Sequence, residues 1–382
     1  MPPANHLIIH VVSQLKPARC GVSDYALAVA GQLEDEFSIK SAFAVINSNV
    51  QIDVPYPRVY CAQSELLQAC NSLSLGEPAT LLVHLSGYGF SRDGAPSQLA
   101  EELSSVRRTG QYQIAVYFHE LYATGMPWKS AFWYSRRQKR AVRRIAGECD
   151  WLFTNSERHA RWLESETVRL SRYPIQVLPV PSNAGESRVP VPFRIRRPAL
   201  IVFGLASSRR IAYLRLSSLG KMFSKLGIQE VLDIGPPFDA PAELNGISVK
   251  RLGVLSATEL ADQLSRAKFG FVKHSASTLA KSGIFAAYCA HGTVSIVPDE
   301  FSGQVDGLED GVHVISPQTV DGAGVAGLDR CSIEAWMWYS HHRLSFHAGA
   351  YARLLAGVDI TAAASIGALG SMEETQVENG IN

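Results

Sequence analysis

The sequence predicts an α/β chain of two doubly wound domains. Three observations carry that prediction. A length of 382 residues exceeds one ordinary core and suits two. Short β-branched or apolar runs alternate with longer helical patterns, as in parallel sheets. The alternation stops once, in SNAGESRVPVPFRIRRP over 182–198, whose Ser, Gly and Pro content reads as a linker.

In chain order, HLIIHVV reads as a first buried strand. It lacks a basic leading segment and a small-residue cleavage site, so it is not read as a signal peptide. A helix is expected over Asp24 to Leu33, then a strand in FSIKSAFAVI. ATLLVHLS precedes a helix from Pro96 to Arg108, and YQIAVYF one from Trp128 to Ala146. DWLFTN leads into Ser156 to Glu164, and IQVLPV closes the first series. After the linker, ALIVFG, VLDIG, SVKRLG, FGFVKH, TVSIVP and HVIS form a second series. CSIEAWMWYSHHRLSFHAGAYARLLAGV reads as one long aromatic-rich helical stretch, and SMEETQVENGIN as a frayed tail. The expected divisions are 1–185 and 195–332 as the two domains, 333–360 as a helical segment packing across both, and 361–382 as a flexible tail.

With 36 basic and 35 acidic side chains the formal net charge is +1, which excludes a globally basic nucleic-acid binder and an acidic disordered chain. No nucleic-acid partner is expected. Cys20, Cys61, Cys70, Cys149, Cys289 and Cys331 are scattered without CxxC or His/Cys clustering, so neither zinc nor a disulfide framework is read, and a reduced cytosolic chain is the simplest expectation. No unbroken apolar run reaches the roughly 18 residues a spanning helix needs.

Local sites must therefore carry specificity. After the first strand, Gly21 sits at a strand-to-helix turn, where backbone N–H groups approach an anion closely. Gly21 and Ser23 are candidate phosphate neighbours; the bland alternative is a tight turn capped by Ser23 or Asp24. In HLSGYGF, His84 ends a strand before a glycine turn, and Tyr88 offers an aromatic platform for a sugar on the acceptor side. Between Lys129 and Arg144 lie seven basic residues and no acidic one, led by Phe132, Trp133 and Tyr134. That helix, 129–144, fits peripheral contact with an anionic membrane or a lipid-diphosphate acceptor, or else a solvated face neutralising acids elsewhere.

CGVSDYALAVAGQL, VYFHELYATGMPWKSAFWYSRRQ, IVFGLASSRRIAYLRL, FVKHSASTLAKSGIFAAYCAHGTVSIV and PDEFSGQVDGLEDGVHVISP together resemble the GT-B glycosyltransferases of the family-4 type. The resemblance spans residues 6–355. It implies two Rossmann-like domains facing each other across a cleft, with a C-terminal helix crossing back. It implies transfer of a sugar from a nucleotide diphosphate sugar, held by the second domain, to a glycan or lipid-linked acceptor held by the first. Exopolysaccharide or other cell-surface glycan synthesis follows by analogy. His119 would stand at the carboxyl end of a strand with Glu120 after it, and Gly21, Val22, Ser23 and Asp24 would line the substrate loop. His119, Glu120 or Asp24 could serve as base if the reaction inverts; the alternative has His119 capping a strand and Glu120 pairing with an arginine.

The chain departs from the family's pattern at three places. Leu205 stands where an arginine is expected, while Arg210 holds the lysine place with Arg209 beside it. Leu279 and Ala287 stand where two glutamates are expected. Lys281, Ser282 and Gly283 open a helix there instead, and can form an anion site or a simple capped turn. No DxD-type carboxylate pair is placed for a metal, and the expectation is metal-independent transfer with no cofactor beyond the donor. The resemblance implies retention, which the missing glutamates put in question. Two further readings follow: a GT-B scaffold that has lost turnover and binds a sugar nucleotide or serves as a partner subunit, and a nucleotide-sugar epimerase. Localisation is expected to be cytoplasmic, peripheral at the inner membrane face if the basic helix meets lipid.

Overall fold

The computed structural model describes residues 6–15, 21–46, 52–123, 128, 130–167, 174–299 and 303–357. Two compact units divide the chain: Met1–Phe153, Glu166–Ile175 and Leu344–Asn382 in the first, Thr154–Ser165 and Gln176–Arg343 in the second. The units interleave. The last helix belongs to the first unit, and residues 176–185, expected with the first domain, belong to the second.

The first half runs β1 (Leu7–Val12), α1 (Gly21–Phe37), β2 (Lys40–Ile46), β3 (Arg58–Cys61), α2 (Leu66–Ser74), β4 (Ala79–Leu85), α3 (Gly87–Phe90) and α4 (Ser97–Arg108). It continues through β5 (Tyr112–Phe118), α5 (Ser130–Gly147), β6 (Trp151–Thr154), α6 (Glu157–Thr167) and β7 (Gln176–Val177). The strand order is β3-β2-β1-β4-β5-β6-β7. β1 pairs in parallel with β2 on one side and β4 on the other, so the order reverses between β1 and β4, where open α/β sheets bind ligands at the strands' carboxyl ends. Every residue of β4 is buried, as strands covered on both faces require.

The second unit contains β8 (Arg197–Phe203), α7 (Ala206–Leu216), α8 (Gly220–Leu226), β9 (Glu230–Ile234), β10 (Glu243–Leu244), β11 (Ile247–Gly253), α9 (Ala257–Arg266) and β12 (Ala267–Phe271). It ends with α10 (Gly283–Ala290), β13 (Val294–Ile296), β14 (Val314–Ile315) and α11 (Val320–Ser340). The order is β10-β11-β9-β8-β12-β13-β14, with the reversal between β8 and β12, and the two-residue edge strand β10 antiparallel. The fold is thus α/β with two sheets of predominantly parallel strands.

The long C-terminal stretch is two helices rather than one. α11 spans Val320–Ser340 with a break at Gly324, where φ is +46° and ψ 177°, and α12 (Leu344–Leu355) follows after a turn in which the His342 amide donates to the Tyr339 carbonyl at 2.8 Å. The expected tail, 361–382, and the loop over 16–20 lie outside the described residues.

Candidate functional site

In the first unit, the carboxyl ends of β4 and β5 and the middle of β1 carry a buried layer of imidazoles and phenols. The His119 amide donates to the Leu85 carbonyl at 2.9 Å, extending the ladder one residue past β5. Its ring lies 4.5 Å from Tyr117 and edge-on to Tyr25 at 5.3 Å, and it is only 9% exposed. His84 stacks on His10, with His10 Nδ1 and His84 Nε2 3.0 Å apart; His10 Nε2 meets the Ser41 hydroxyl at 3.3 Å. Tyr25, from the first turns of α1, places its hydroxyl 2.7 Å from His347 Nδ1 and 2.8 Å from the Tyr351 hydroxyl, both on α12. Burial holds His10 down to about 3, and burial, His10 and His119 hold His84 well below the usual imidazole range. Both rings are neutral at neutral pH, and burial keeps Tyr25 and Tyr117 protonated.

The other first-half candidates divide. Glu120 is exposed. Gly21 opens α1, and Val22 and Asp24 are half-buried in its first turn. Ser23 is buried with its hydroxyl donating to the Gln14 carbonyl at 2.6 Å, so it ties α1 to the end of the first strand's loop rather than presenting itself to a ligand. His84 is fully buried on His10, which removes it from an acceptor-facing platform. The Tyr88 ring is 52% exposed, and its hydroxyl accepts from Gln138 Nε2 at 3.2 Å. Gln138 is buried on α5; its Nε2 also donates to the Asp93 carbonyl at 2.8 Å, and its Oε1 accepts from the Ala123 amide at 2.7 Å, fixing the chain after β5. Glycine at 87 answers to packing: a Cβ there would stand 2.4 Å from the Gly94 carbonyl oxygen.

In the second unit, the turns after β8 and β9 interlock. Gly204 adopts φ +126° and Gly235 φ +144°, and a Cβ on Gly235 would stand 2.3 Å from the Gly204 oxygen. A Cβ on Gly204 would lie 3.1 Å from Ile284 Cδ1, so the turn between β8 and α7 packs against the first turn of α10 beside the β8/β12 reversal. The amino end of a helix at such a turn is a favourable place for an anion. Ser282 caps α10, its hydroxyl accepting from the Phe285 amide at 3.2 Å, while Gly283 has open space around its Cβ position.

Lys281 precedes α10 and is half-buried. Burial and then its charge and that of Arg158 hold His159 down to about 3; burial, Lys273 and Lys281 also lower His274. Lys281 therefore sits among two neutral imidazoles and Asp306. Asp306 takes φ +53°, unusual for a residue with a Cβ, and its Oδ1 accepts from the Glu157 amide at 2.6 Å at the start of α6. Burial raises its carboxyl above the usual range, opposed by that amide, Arg161 and Lys281.

Arg209 is engaged within the fold. It is 1% exposed and ion-paired with Asp233; it donates to the carbonyls of Gly204, at 3.0 Å, and Pro236, and stacks over Phe238 at 4.6 Å. Asp233 Oδ2 accepts from the Tyr213 hydroxyl at 2.9 Å. Arg210, one residue on, is exposed on α7. The positions of the two missing glutamates, Leu279 and Ala287, are both fully buried in the apolar core between β8, β12 and α10.

No protein-family model matches the sequence, and no curated protein matches it. Solved structures do. An alpha-glucosyltransferase in complex with UDP is 10% identical, with a TM-score of 0.55 over 88% of this chain and 96% of that one. An α,α-trehalose-6-phosphate synthase from Burkholderia multivorans is 11% identical, with 0.55 over 97% and 98%. A protein described as a UDP-N-acetylglucosamine 2-epimerase from Listeria monocytogenes is 12% identical, with 0.57 over 93% and 98%. The chain has the GT-B fold.

Within that GT-B fold, sequence reasoning missed His10, Tyr25, His347 and Tyr351 in the first unit and His159 and Asp306 in the second. His159 had a signal, lying in the first turn of a helix after DWLFTN, and Asp306 had another in its Asp-Gly turn. Among the described residues no group of His, Cys, Asp and Glu could hold a metal ion. No described helix is long and apolar enough to cross a membrane.

Proposed function

We propose that the chain is a glycosyltransferase taking a nucleotide diphosphate sugar as donor. The observation that carries this is the fold likeness over 88% or more of the chain to proteins that handle UDP or UDP-sugars by their descriptions. The second unit supports a diphosphate, because the turn at Gly204 packs against the first turn of α10, with Arg210 and Lys281 close in sequence to these two segments. Arg209 leaves this role to those two. In the first unit His119 is the group for the sugar or acceptor, held at the end of β5 by Tyr117 and Tyr25, with exposed Glu120 as the second candidate. The acceptor, a glycan or lipid-linked molecule in cell-surface glycan synthesis, and a cytoplasmic location belong to the same proposal. So does metal-independent transfer.

A second reading rests on Leu279 and Ala287. Their places are sealed in apolar core, so neither can hold a carboxylate towards a ligand, and a sugar-nucleotide-binding scaffold without turnover fits that observation. One experiment separates the readings. A thermal-shift screen with nucleoside diphosphates and nucleotide sugars identifies a donor, since a ligand of the folded state raises the melting temperature. Release of nucleoside diphosphate from that donor, lost in His119→Ala with nucleotide binding kept, supports the transferase. Binding without release supports the scaffold, and free nucleotide with an isomerised sugar the epimerase.

A further inference from the structure

We infer that the outer face of α5 is a docking surface for an anionic lipid membrane. The helix buries Gln138, Ala141, Val142, Ile145 and Ala146 and turns its other side to solvent. At about 100° per residue, Trp133, Arg136, Arg137, Arg140 and Arg144 fall on one arc of that outer side. Phe132 and Tyr134 flank Trp133, and Trp133 is 70% exposed, as Trp128 is at 76%. Rings of this size left in water in a cluster mark an interaction site rather than a random surface.

The charges on the stripe are partly committed. Arg137 pairs with Asp93 at 3.3 Å, Arg143 with Glu166 at 2.6 Å and Arg144 with Glu101 at 3.6 Å. Lys139 lies over the Tyr122 ring at 4.4 Å. Acids from neighbouring elements thus neutralise three of the seven basic residues, as the solvated-face reading requires. Arg136 and Arg140, on the same arc as Trp133, make no ion pair among the described residues. The exposed pairs of Arg137 and Arg144 are also weak enough to yield to headgroups. The face is therefore apolar at its amino end and cationic along the remainder, with no acidic residue on the helix.

That arrangement matches the boundary between acyl chains and anionic headgroups, where Trp sits and cations are attracted. It matches nucleic acid less well. Phe132 and Trp133 stand edge-to-face at 86°, which forms a wedge rather than a flat platform for successive bases.

The test is flotation of the full chain with vesicles of phosphatidylcholine alone and of phosphatidylcholine mixed with phosphatidylglycerol. Binding is expected only to the mixed vesicles and is expected to weaken in high salt. Arg136→Glu combined with Arg140→Glu should lower it by roughly 30-fold or more. Trp133→Ala should lower it at both salt levels, since burial of the ring is not screened. Melting temperatures of these surface variants report that the fold is kept. No binding of the intact chain to mixed vesicles in low salt overturns the inference. So does wild-type binding by the double arginine variant, or retention on DNA without flotation. Because the readout needs no nucleotide, it stands apart from the outcome for glycosyl transfer.

Discussion

Arg209→Met separates a structural arginine from a donor-binding one. The guanidinium is buried with Asp233, donates to two carbonyls at strand ends and covers Phe238. Methionine keeps the apolar stem and removes every donor. Asp233, 3% exposed, would keep only the Tyr213 hydroxyl, and the Gly204 and Pro236 carbonyls would lose a partner. Breaking a buried pair from one side costs about 3 to 5 kcal/mol, whereas replacing both members by apolar residues can be nearly neutral. Urea unfolding should therefore show a large fall in stability for Arg209→Met and a substantial recovery in Arg209→Met with Asp233→Leu. Arg210→Ala, at an exposed position, should change stability by less than about 0.5 kcal/mol. Wild-type stability in Arg209→Met together with lost nucleotide affinity would refute the structural assignment.

Three further outcomes are expected. Ala287→Glu puts a carboxylate in a fully buried apolar site and should cost at least about 4 kcal/mol, read as lost soluble yield or a collapsed melting temperature; a wild-type melt would show that the position is not core. His10 titrates at about 3 when folded and near 6.5 when unfolded, so the unfolded chain binds more protons between those values. Its contribution is whole above about pH 6.5 and is lost as pH falls, about 2 kcal/mol by pH 5, and His10→Phe should flatten that slope; an equal slope in the variant would contradict the burial. Gly87→Ala forces a methyl against the Gly94 carbonyl and should destabilise by about 1 to 3 kcal/mol in a urea titration, and a neutral result would mean that the turn relaxes freely.

The sheets were legible because their central strands are continuous apolar runs: β1, β4 and β5 fall within HLIIHVV, ATLLVHLS and YQIAVYF, and β8 shares 199–203 with ALIVFG but starts two residues earlier, in the stretch read as a linker. The edge strands β3 and β10 were not, since they are short and only partly buried and lack that signal. The break between α11 and α12 has no glycine or proline to mark it, and which unit the last helix joins depends on tertiary contacts rather than on local pattern. At the candidate site, His119 was visible as the polar end of an apolar strand. Its neighbours were less so: Tyr25 meets His347 and Tyr351 from more than 320 positions away, a register that no local periodicity encodes. Arg209 carried a signal of its own. It shares the spacing of Ala212, Tyr213 and Leu216 on the buried stripe of α7, which points it inward and Arg210 outward.

The most direct test is a calorimetric titration of nucleoside diphosphates into the wild-type chain and into Lys281→Ala. If Lys281 contributes one charged hydrogen bond to the diphosphate, the variant should lose about 1 to 3 kcal/mol, roughly a 5- to 150-fold rise in Kd. No binding of any nucleoside diphosphate by the wild type, or equal affinity in the variant, would contradict a diphosphate site at the start of α10.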